Sequence, residues 1–438
     1  MKPTFTIIIF ILFFCCGYSQ TYKPFDTISY EKRKLFLKEF KSSNDQKIKE
    51  IKKTYSGKVS KEMEAVYKSQ FEDFSRTIDN KELYFDDNLQ NYSQKILAEI
   101  THNNPSLSNK KIAVYFSRDP EANAYSIGDG TIVFNLELLR YLADEAEIGY
   151  IICHEIAHYA LNHREKSIEK EISSQNLKEA KALEKDLKKS KFNKQIKSES
   201  FAKNSVYSRK NRSRLQEFQA DSLGLDYFKN TKYNSASSIN LLKHLSKTDI
   251  ETDSLPRVSY PKNFTTKNQK FIKDWVTMED YSKYSYSKEN IFKWDVDSLK
   301  THPNCEQRIE KISKQVKNTK TNYYTDKAFF DDLKKRIEYE QIYSNYYLKN
   351  YGSSLYDALK LKEKNPKSIY LKEMITSNLE ALAKAKKEMR INSYIPSINP
   401  NEQTKSQQYY FNFMANLTLS ELEQLALDYK NEPTNPIK

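Results

Sequence analysis

Two histidines and a glutamate in this sequence have the spacing of a metal site. The segment HEIAH runs from His154 to His158, with Glu155 between the histidines. Side chains four residues apart on a helix project from one face, so both imidazoles can reach one ion while Glu155 lies beside it. Zinc takes imidazole and carboxylate ligands, keeps one position for water and lowers the pKa of that water to about 7. The spacing therefore predicts a zinc site at which Glu155 removes a proton from water.

An isolated HExxH pattern can also occur by chance on an amphipathic helix. Here the pattern follows an apolar run that includes Ile148, Ile151 and Ile152, and it uses two of the six histidines in the chain. This context favours a metal site over a chance match.

The third ligand must come from another part of the chain. A metzincin would have a histidine six residues after His158, but Arg164 stands there and His163 comes one residue too early. Downstream, Glu217 and Asp221 lie one turn apart on a helix that we predict from Ser213 to Phe228. We expect Glu217 to bind the metal and Asp221 to accept a hydrogen bond from a ligand histidine.

The elements that must position these residues can also be predicted. Asp144, followed three residues later by Glu147, is typical of a helix start, and apolar positions continue from there to Ala160. Before this helix, β-forming residues run from Lys111 to Phe116. Tyr125 and Ser126 are then followed by Gly-Asp-Gly and by a second run over Thr131 to Phe134, which predicts a β-hairpin.

The remainder of the chain is predicted to be mainly helical. Only 7 glycines occur among 438 residues, so tight left-handed turns are scarce. We expect two or three helices between Tyr30 and Ile100, a helical segment after Arg164 that breaks at Ser173-Ser174, and an irregular stretch over 246–300. Beyond residue 317 the sequence predicts further helices.

We expect these C-terminal helices to be interrupted at three places. The breaks are predicted at Gly352, at Asn365-Pro366 and over 395–400, and Thr418 with Glu421 should cap the final helix. Helices around Ala358 and Ala381 suggest tetratricopeptide-like hairpins, although no 34-residue period is present.

The formal net charge of +14 is concentrated in one segment. Between Arg164 and Arg214 there are 16 Lys and Arg residues against 7 Asp and Glu residues. No zinc-finger spacing or other nucleic-acid-binding motif accompanies this charge. We therefore interpret the segment as a solvated helical insertion and expect no nucleic acid partner.

The N-terminus has the pattern of a secretory signal peptide. After Met1-Lys2, an apolar run extends from Phe5 to Phe14, and small or polar residues follow as far as Gln20. We expect cleavage near Ser19 and a mature protein in the periplasm or cell envelope. A lipoprotein anchored through Cys15 or Cys16 is the alternative, which the bulky residues before these cysteines disfavour.

No later segment has the roughly 20 apolar residues that a membrane-spanning helix needs. Removal of the signal would leave Cys153 and Cys305 as the only cysteines. An oxidising compartment would permit them to pair, but two separate buried thiols are the simpler interpretation.

Four segments together resemble a known enzyme family. They are NAYSIGDGTIVFNLELL from Asn123, CHEIAHYALNH from Cys153, SRLQEFQADSLG from Ser213 and THPNCEQRI from Thr301. Their order is that of the gluzincin peptidases typified by the CAAX prenyl protease and the HtpX heat-shock protease, peptidase family M48. The resemblance covers about residues 85 to 315. Two features depart from it, since a small residue usually stands where Cys153 does, and the transmembrane helices of the family's membrane members are absent.

The resemblance implies a role for each residue of the site. The zinc ligands would be His154, His158 and Glu217, the general base Glu155, and the partner of a ligand histidine Asp221. His302 and Arg308 would lie near the carbonyl oxygen of the substrate and stabilise the charge that develops on it. A helix cap at His302 and a surface ion pair at Arg308 are the ordinary alternative.

Two further regions acquire a role from the resemblance. Asn123, Ala124 and Tyr125 resemble the edge strand along which these enzymes bind an extended substrate, although an ordinary core hairpin is equally compatible with the sequence. His163 fits the family pattern and is assigned a structural role.

The sequence thus predicts a mainly α protein with a helical, zincin-type metallopeptidase domain, a short β-hairpin next to the HExxH helix and a C-terminal helical region. The predicted segments are 1–19 (signal peptide), 20–84 (helical), 85–316 (zinc peptidase, with the basic helical insertion 164–214) and 317–438 (helical, with possible protein partners). We expect one zinc ion per chain and unfolded or misassembled envelope polypeptides as substrates. The alternative is an envelope chaperone whose peptidase centre is latent because His302 occupies the fourth zinc position.

Overall fold

Helices dominate the protein, and they surround one small sheet. The structure is a computed structural model that describes residues 22–26, 28–175, 213–247, 254–278, 305–316, 322–399 and 403–432. The helices before the sheet are α1 (Tyr30–Thr54), α2 (Gly57–Asp79) and α3 (Asp87–His102). The next helices are α4 (Glu145–Ala160), α5 (His163–Gln175), α6 (213–229), α7 (Ser237–Leu245), α8 (Ser259–Phe264) and α9 (Cys305–Ser313). The last five are α10 (Lys327–Tyr347), α11 (Tyr351–Lys364), α12 (Ile369–Lys387), α13 (Lys405–Asn416) and α14 (Leu419–Asn431). The predicted mainly α class is therefore confirmed.

The predicted β-hairpin is present and forms part of a three-stranded sheet. Its strands are β1 (Ala113–Ser117), β2 (Ala124–Ser126) and β3 (Thr131–Asn135), in the order β1-β3-β2. β2 runs antiparallel to β3, whereas β1 pairs with β3 in parallel. Gly130, with a φ of 98°, closes the turn, and a Cβ atom there would lie only 1.9 Å from the carbonyl oxygen of Lys111. β2 is left at the edge of the sheet.

The helix that carries the HExxH motif lies in the centre of the largest apolar cluster. The side chain of Asp144 accepts a hydrogen bond from the Glu147 N–H, as the capping pattern predicted. Every residue of α4 from Glu145 to Ala157 is buried. The helix ends before Asn162, whose φ of 52° reverses the chain so that α5 begins at His163.

α6 packs very closely against α4. A Cβ atom placed on Gly224 would lie 3.0 Å from the Cα atom of His154, so only glycine allows the two backbones to approach this far. Asp221 and Glu217, about one and two turns earlier on α6, are buried. The close crossing brings these carboxylates to the motif histidines.

The antiparallel pair α1 and α2, called here the N-terminal hairpin, is held at two places. One apolar cluster joins it to the sheet and includes Phe36, Phe74 and Val133. A second joins it to α5 and includes Ile51, Met63 and Ile172. The N-terminal hairpin therefore bridges the sheet and the helix that follows the HExxH motif.

The C-terminal region forms its own apolar cluster. α10 packs on α11, α11 on α12, and α12 on α14. Thr418 and Glu421 form the predicted capping box at the start of α14. The predicted break near Gly352 is present but lies at 348–350, because α10 ends at Tyr347 and Gly352 lies in the first turn of α11. Its missing side chain instead allows the carbonyl of Tyr394 to come close.

Two other details differ from the prediction, and several predicted features fall outside the described residues. α5 continues through Ser173-Ser174, so the predicted break there is wrong, and the stretch 254–278 contains one short α-helix and one 3-10 helix. The signal peptide, Cys15, Cys16, most of the basic insertion (176–212) and His302 lie outside the described residues. None of the helices within the described ranges combines the length and apolar character needed to cross a membrane.

Candidate metal centre

Three side-chain atoms from two helices converge on one point. His154 and His158 project their Nε2 atoms from α4 and are 3.0 Å apart. Glu217, from α6, places one carboxylate oxygen 3.5 Å from Nε2 of His154 and the other 3.4 Å from Nε2 of His158. Ligands bound tetrahedrally to zinc at 2.0–2.2 Å are about 3.3 Å apart, so this donor set fits zinc. The structure thus brings together the three ligands that the sequence predicted.

A buried ion pair lies behind the first ligand. Nδ1 of His154 is 3.1 Å from Oδ1 of Asp221. Arg308, from α9, donates two hydrogen bonds to Asp221, from Nε at 2.7 Å and from Nη2 at 2.6 Å. Burial alone would raise the pKa of Asp221, but the Arg308 guanidinium and His154 hold it well below its usual range. Asp221 therefore stays ionised and fixes the ring of His154 with Nε2 facing the metal site.

The same carboxylates affect the proton on His154. Burial disfavours the imidazolium, but hydrogen bonding to Asp221 and Glu217 outweighs it and raises the pKa of His154 to about 10. At neutral pH the metal-free ring is therefore protonated. A metal ion must displace this proton, so its affinity falls as the pH is lowered.

A chain of hydrogen bonds lies behind the second ligand. Nδ1 of His158 is 2.9 Å from Nδ1 of His163, and Nε2 of His163 is 3.1 Å from Oε1 of Gln219. Burial and the nearby His158 lower the pKa of His163 to about 4, which keeps it neutral. If His158 binds metal through Nε2, its Nδ1–H donates to His163, whose Nε2–H donates to Gln219. This order of donors holds His158 in the tautomer that a metal requires.

Glu155 points from α4 toward the edge strand. Its Oε2 accepts a hydrogen bond of 2.9 Å from the backbone N–H of Ser126, at the end of β2. Burial raises the pKa of Glu155, although His154 and His158 oppose this effect. A carboxylate with a raised pKa binds a proton more readily near neutral pH, which suits a group that takes and returns protons.

An open cleft of about 610 Å³ exposes this centre. The predicted substrate residues Asn123, Ala124 and Tyr125 line it, and the last two belong to β2. Apolar side chains also line it, among them Leu138, Ile151, Leu241 and Leu245. The cleft thus brings the edge strand and the metal ligands to one surface.

Arg308 is buried and lines the cleft. Besides its bonds to Asp221, its Nη1 is 3.8 Å from Oε2 of Glu217. The structure thus places it behind two of the carboxylates at the site. Cys153, buried beside His154, is not joined by a disulfide to Cys305, which lines the cleft.

Sequence reasoning missed three contacts of this site. It did not predict the bonds from Ser126 to Glu155, from His163 to Gln219, or from Tyr150, whose hydroxyl is 3.4 Å from Oδ1 of Asp221. Gln219 carried a weak signal, because it lies two residues after Glu217. Nothing in the local pattern distinguished the other two.

A comparison with known protein families places the site within a matched region. The model of Peptidase family M48 matches residues 87–316, which include the sheet, α4, α6 and α9. No curated protein matches the chain.

Proposed function

The chain belongs to peptidase family M48, and we propose that it is a zinc-dependent endopeptidase that cleaves extended polypeptides. The observation that carries the proposal is the convergence of His154, His158 and Glu217 beside a buried glutamate and an open edge strand. This arrangement contains the groups needed to activate water and to hold a peptide bond next to it.

Zinc, when bound to these three residues, would supply a Lewis acid that polarises the peptide carbonyl and lowers the pKa of water. Glu155 takes a proton from the attacking water while the oxygen of that water bonds to the carbonyl carbon. The carboxyl group then gives that proton to the peptide nitrogen as the C–N bond breaks. The Ser126 N–H holds the Glu155 carboxylate in one orientation between the two transfers.

The substrate is proposed to lie along β2. An edge strand offers backbone N–H and C=O groups to any extended chain, regardless of its side chains. Such binding favours unfolded segments over folded ones. The signal-like N-terminus adds support for unfolded or misassembled envelope proteins as the substrates.

Metal analysis combined with a digestion assay tests this proposal. We expect purified protein to contain one zinc ion per chain and to degrade casein. A chelator should abolish degradation, and added zinc should restore it. Zinc-loaded protein that leaves casein and other unfolded proteins intact would contradict the proposal.

His302→Ala separates an active peptidase from a latent one. If His302 and Arg308 stabilise the charge on the carbonyl oxygen, the substitution should lower kcat about 100-fold to 1,000-fold and leave zinc bound. Increased casein degradation by this variant would instead show that His302 inhibits the centre as a fourth ligand.

A further inference from the structure

A second cavity of about 740 Å³ lies under the N-terminal hairpin. The two apolar clusters that attach the hairpin use the first and last parts of both helices. Residues between those parts line the cavity, among them Ser43, Asn44 and Lys47 on α1 and Gln70 on α2. The hairpin therefore bridges an open passage.

Polar side chains of both helices line this cavity beside aromatic ones. Asn44, Gln46 and Lys47 on α1 and Gln70 on α2 are among the lining residues. The cavity therefore presents hydrogen-bonding groups to a polypeptide that enters it.

The second cavity is continuous with the catalytic cleft. The residues that line both cavities come from the N-terminal hairpin, from β2 and the turn after it, and from the junction of α4 and α5. They are Lys47, Tyr67, Tyr125, Gly128, Tyr159, Asn162 and Arg164. Gly128 lies two residues beyond Ser126. An extended chain advances about 3.3 Å per residue, so a substrate on β2 reaches this junction within a few residues.

Arg164 lines both cavities and therefore lies at their junction. Its Nε donates a 3.2 Å hydrogen bond to Oε1 of Gln70, and its Cδ lies against Gly128, where a Cβ atom would be 2.9 Å away. Tyr67, Tyr125 and Asp129 are its nearest electrostatic partners, and no carboxylate among the described residues forms an ion pair with it. An anion that enters the passage would therefore form a favourable charge-assisted hydrogen bond with the half-buried guanidinium of Arg164.

We propose that the passage under the N-terminal hairpin binds the substrate polypeptide beyond the cleaved bond, and that Arg164 selects an Asp or Glu side chain there. This inference rests on the proposed peptidase function. Its support is the continuity of the two cavities and the charge at their junction. The hairpin lies outside the region matched by the family, so it would give this chain its own substrate preference.

Mapping the cleavage sites in denatured casein by mass spectrometry tests the preference for Asp or Glu. The test does not require knowing in advance how many residues separate the acidic side chain from the cleaved bond. We expect Asp and Glu to be enriched at a fixed distance from the cut. Arg164→Gln should reduce cleavage at those sites about tenfold, Arg164→Lys should restore part of it, and Arg164→Glu should favour sites with Lys or Arg at that position. Arg390→Gln, at an exposed arginine that lines neither cavity, removes the same charge and should leave the pattern unchanged.

A binding measurement keeps the inference testable if no cleavage is observed. Fluorescence anisotropy with the Glu155→Gln protein compares an unstructured peptide that contains glutamates with one in which glutamines replace them. We expect the acidic peptide to bind about tenfold more tightly, and this difference to disappear when Arg164→Gln is added. Absence of casein cleavage would overturn the peptidase proposal alone. Equal binding of the two peptides, or a cleavage pattern independent of Arg164, would overturn the role of the passage.

Discussion

Replacing Glu155 with glutamine is expected to slow peptide hydrolysis about 100-fold to 10,000-fold while the protein stays folded and keeps its zinc. Glutamine has the same shape, and its amide oxygen can still accept the hydrogen bond from Ser126. It cannot take a proton from water. The variant should bind unfolded protein without degrading it, which a casein assay, a zinc determination and a pull-down of trapped substrate would show together.

The matched control for this variant is Glu310→Gln. Glu310 is an exposed glutamate on α9, the helix that carries Arg308, and it lines neither cavity. Its replacement should leave turnover unchanged. In cells, Glu155→Gln should fail in protein quality control as a deletion does. Full activity of Glu155→Gln in both settings would mean that the protein acts by binding and not by cleavage.

Glu217→Ala is expected to remove most of the zinc and, with it, the activity. The substitution leaves two histidines and no carboxylate, which is too few ligands for a stable zinc site in a protein. His163→Ala should have a smaller effect, lowering zinc affinity about 10-fold to 100-fold, because it removes only the group that orients His158. Competition with a chromophoric chelator measures both changes.

Asp226→Ala is the control on the same helix. Its carboxylate is exposed and paired with Lys229, away from the metal ligands, so zinc affinity should not change. If His163→Ala lost zinc completely and Glu217→Ala retained it, the ligand assignment would be wrong.

The parts of the site that the sequence predicted are those encoded by spacing along one element. His154 and His158 share a helix face because they are four residues apart, and Asp144 caps that helix because its side chain reaches a nearby N–H. The β-hairpin was predicted in the same way, because Gly128 and Gly130 lie between two β-forming runs. Such features need no knowledge of how distant segments pack.

Contacts between distant elements could not be predicted by the same reasoning. The bidentate pair of Arg308 with Asp221 depends on how α9 lies against α6, and the passage at Arg164 depends on where the N-terminal hairpin attaches. The wrong break at Ser173-Ser174 has a related cause. A serine weakens a helix by less than about 1 kcal/mol, which other interactions of the helix can outweigh, and α5 continues through both serines.

The close crossing of α6 over α4 at Gly224 also sets when the enzyme becomes competent. His154 and Glu217 are about 60 residues apart in the chain, so the loss of conformational entropy on closing that loop opposes their contact. Before the crossing forms, only the histidine pair is available, and it holds a metal weakly. The free energy of metal binding is then added to the docking of α6 on α4. Hydrolytic capacity thus requires this docking, and a copy of this peptidase in which α6 is not docked on α4 lacks a complete metal site.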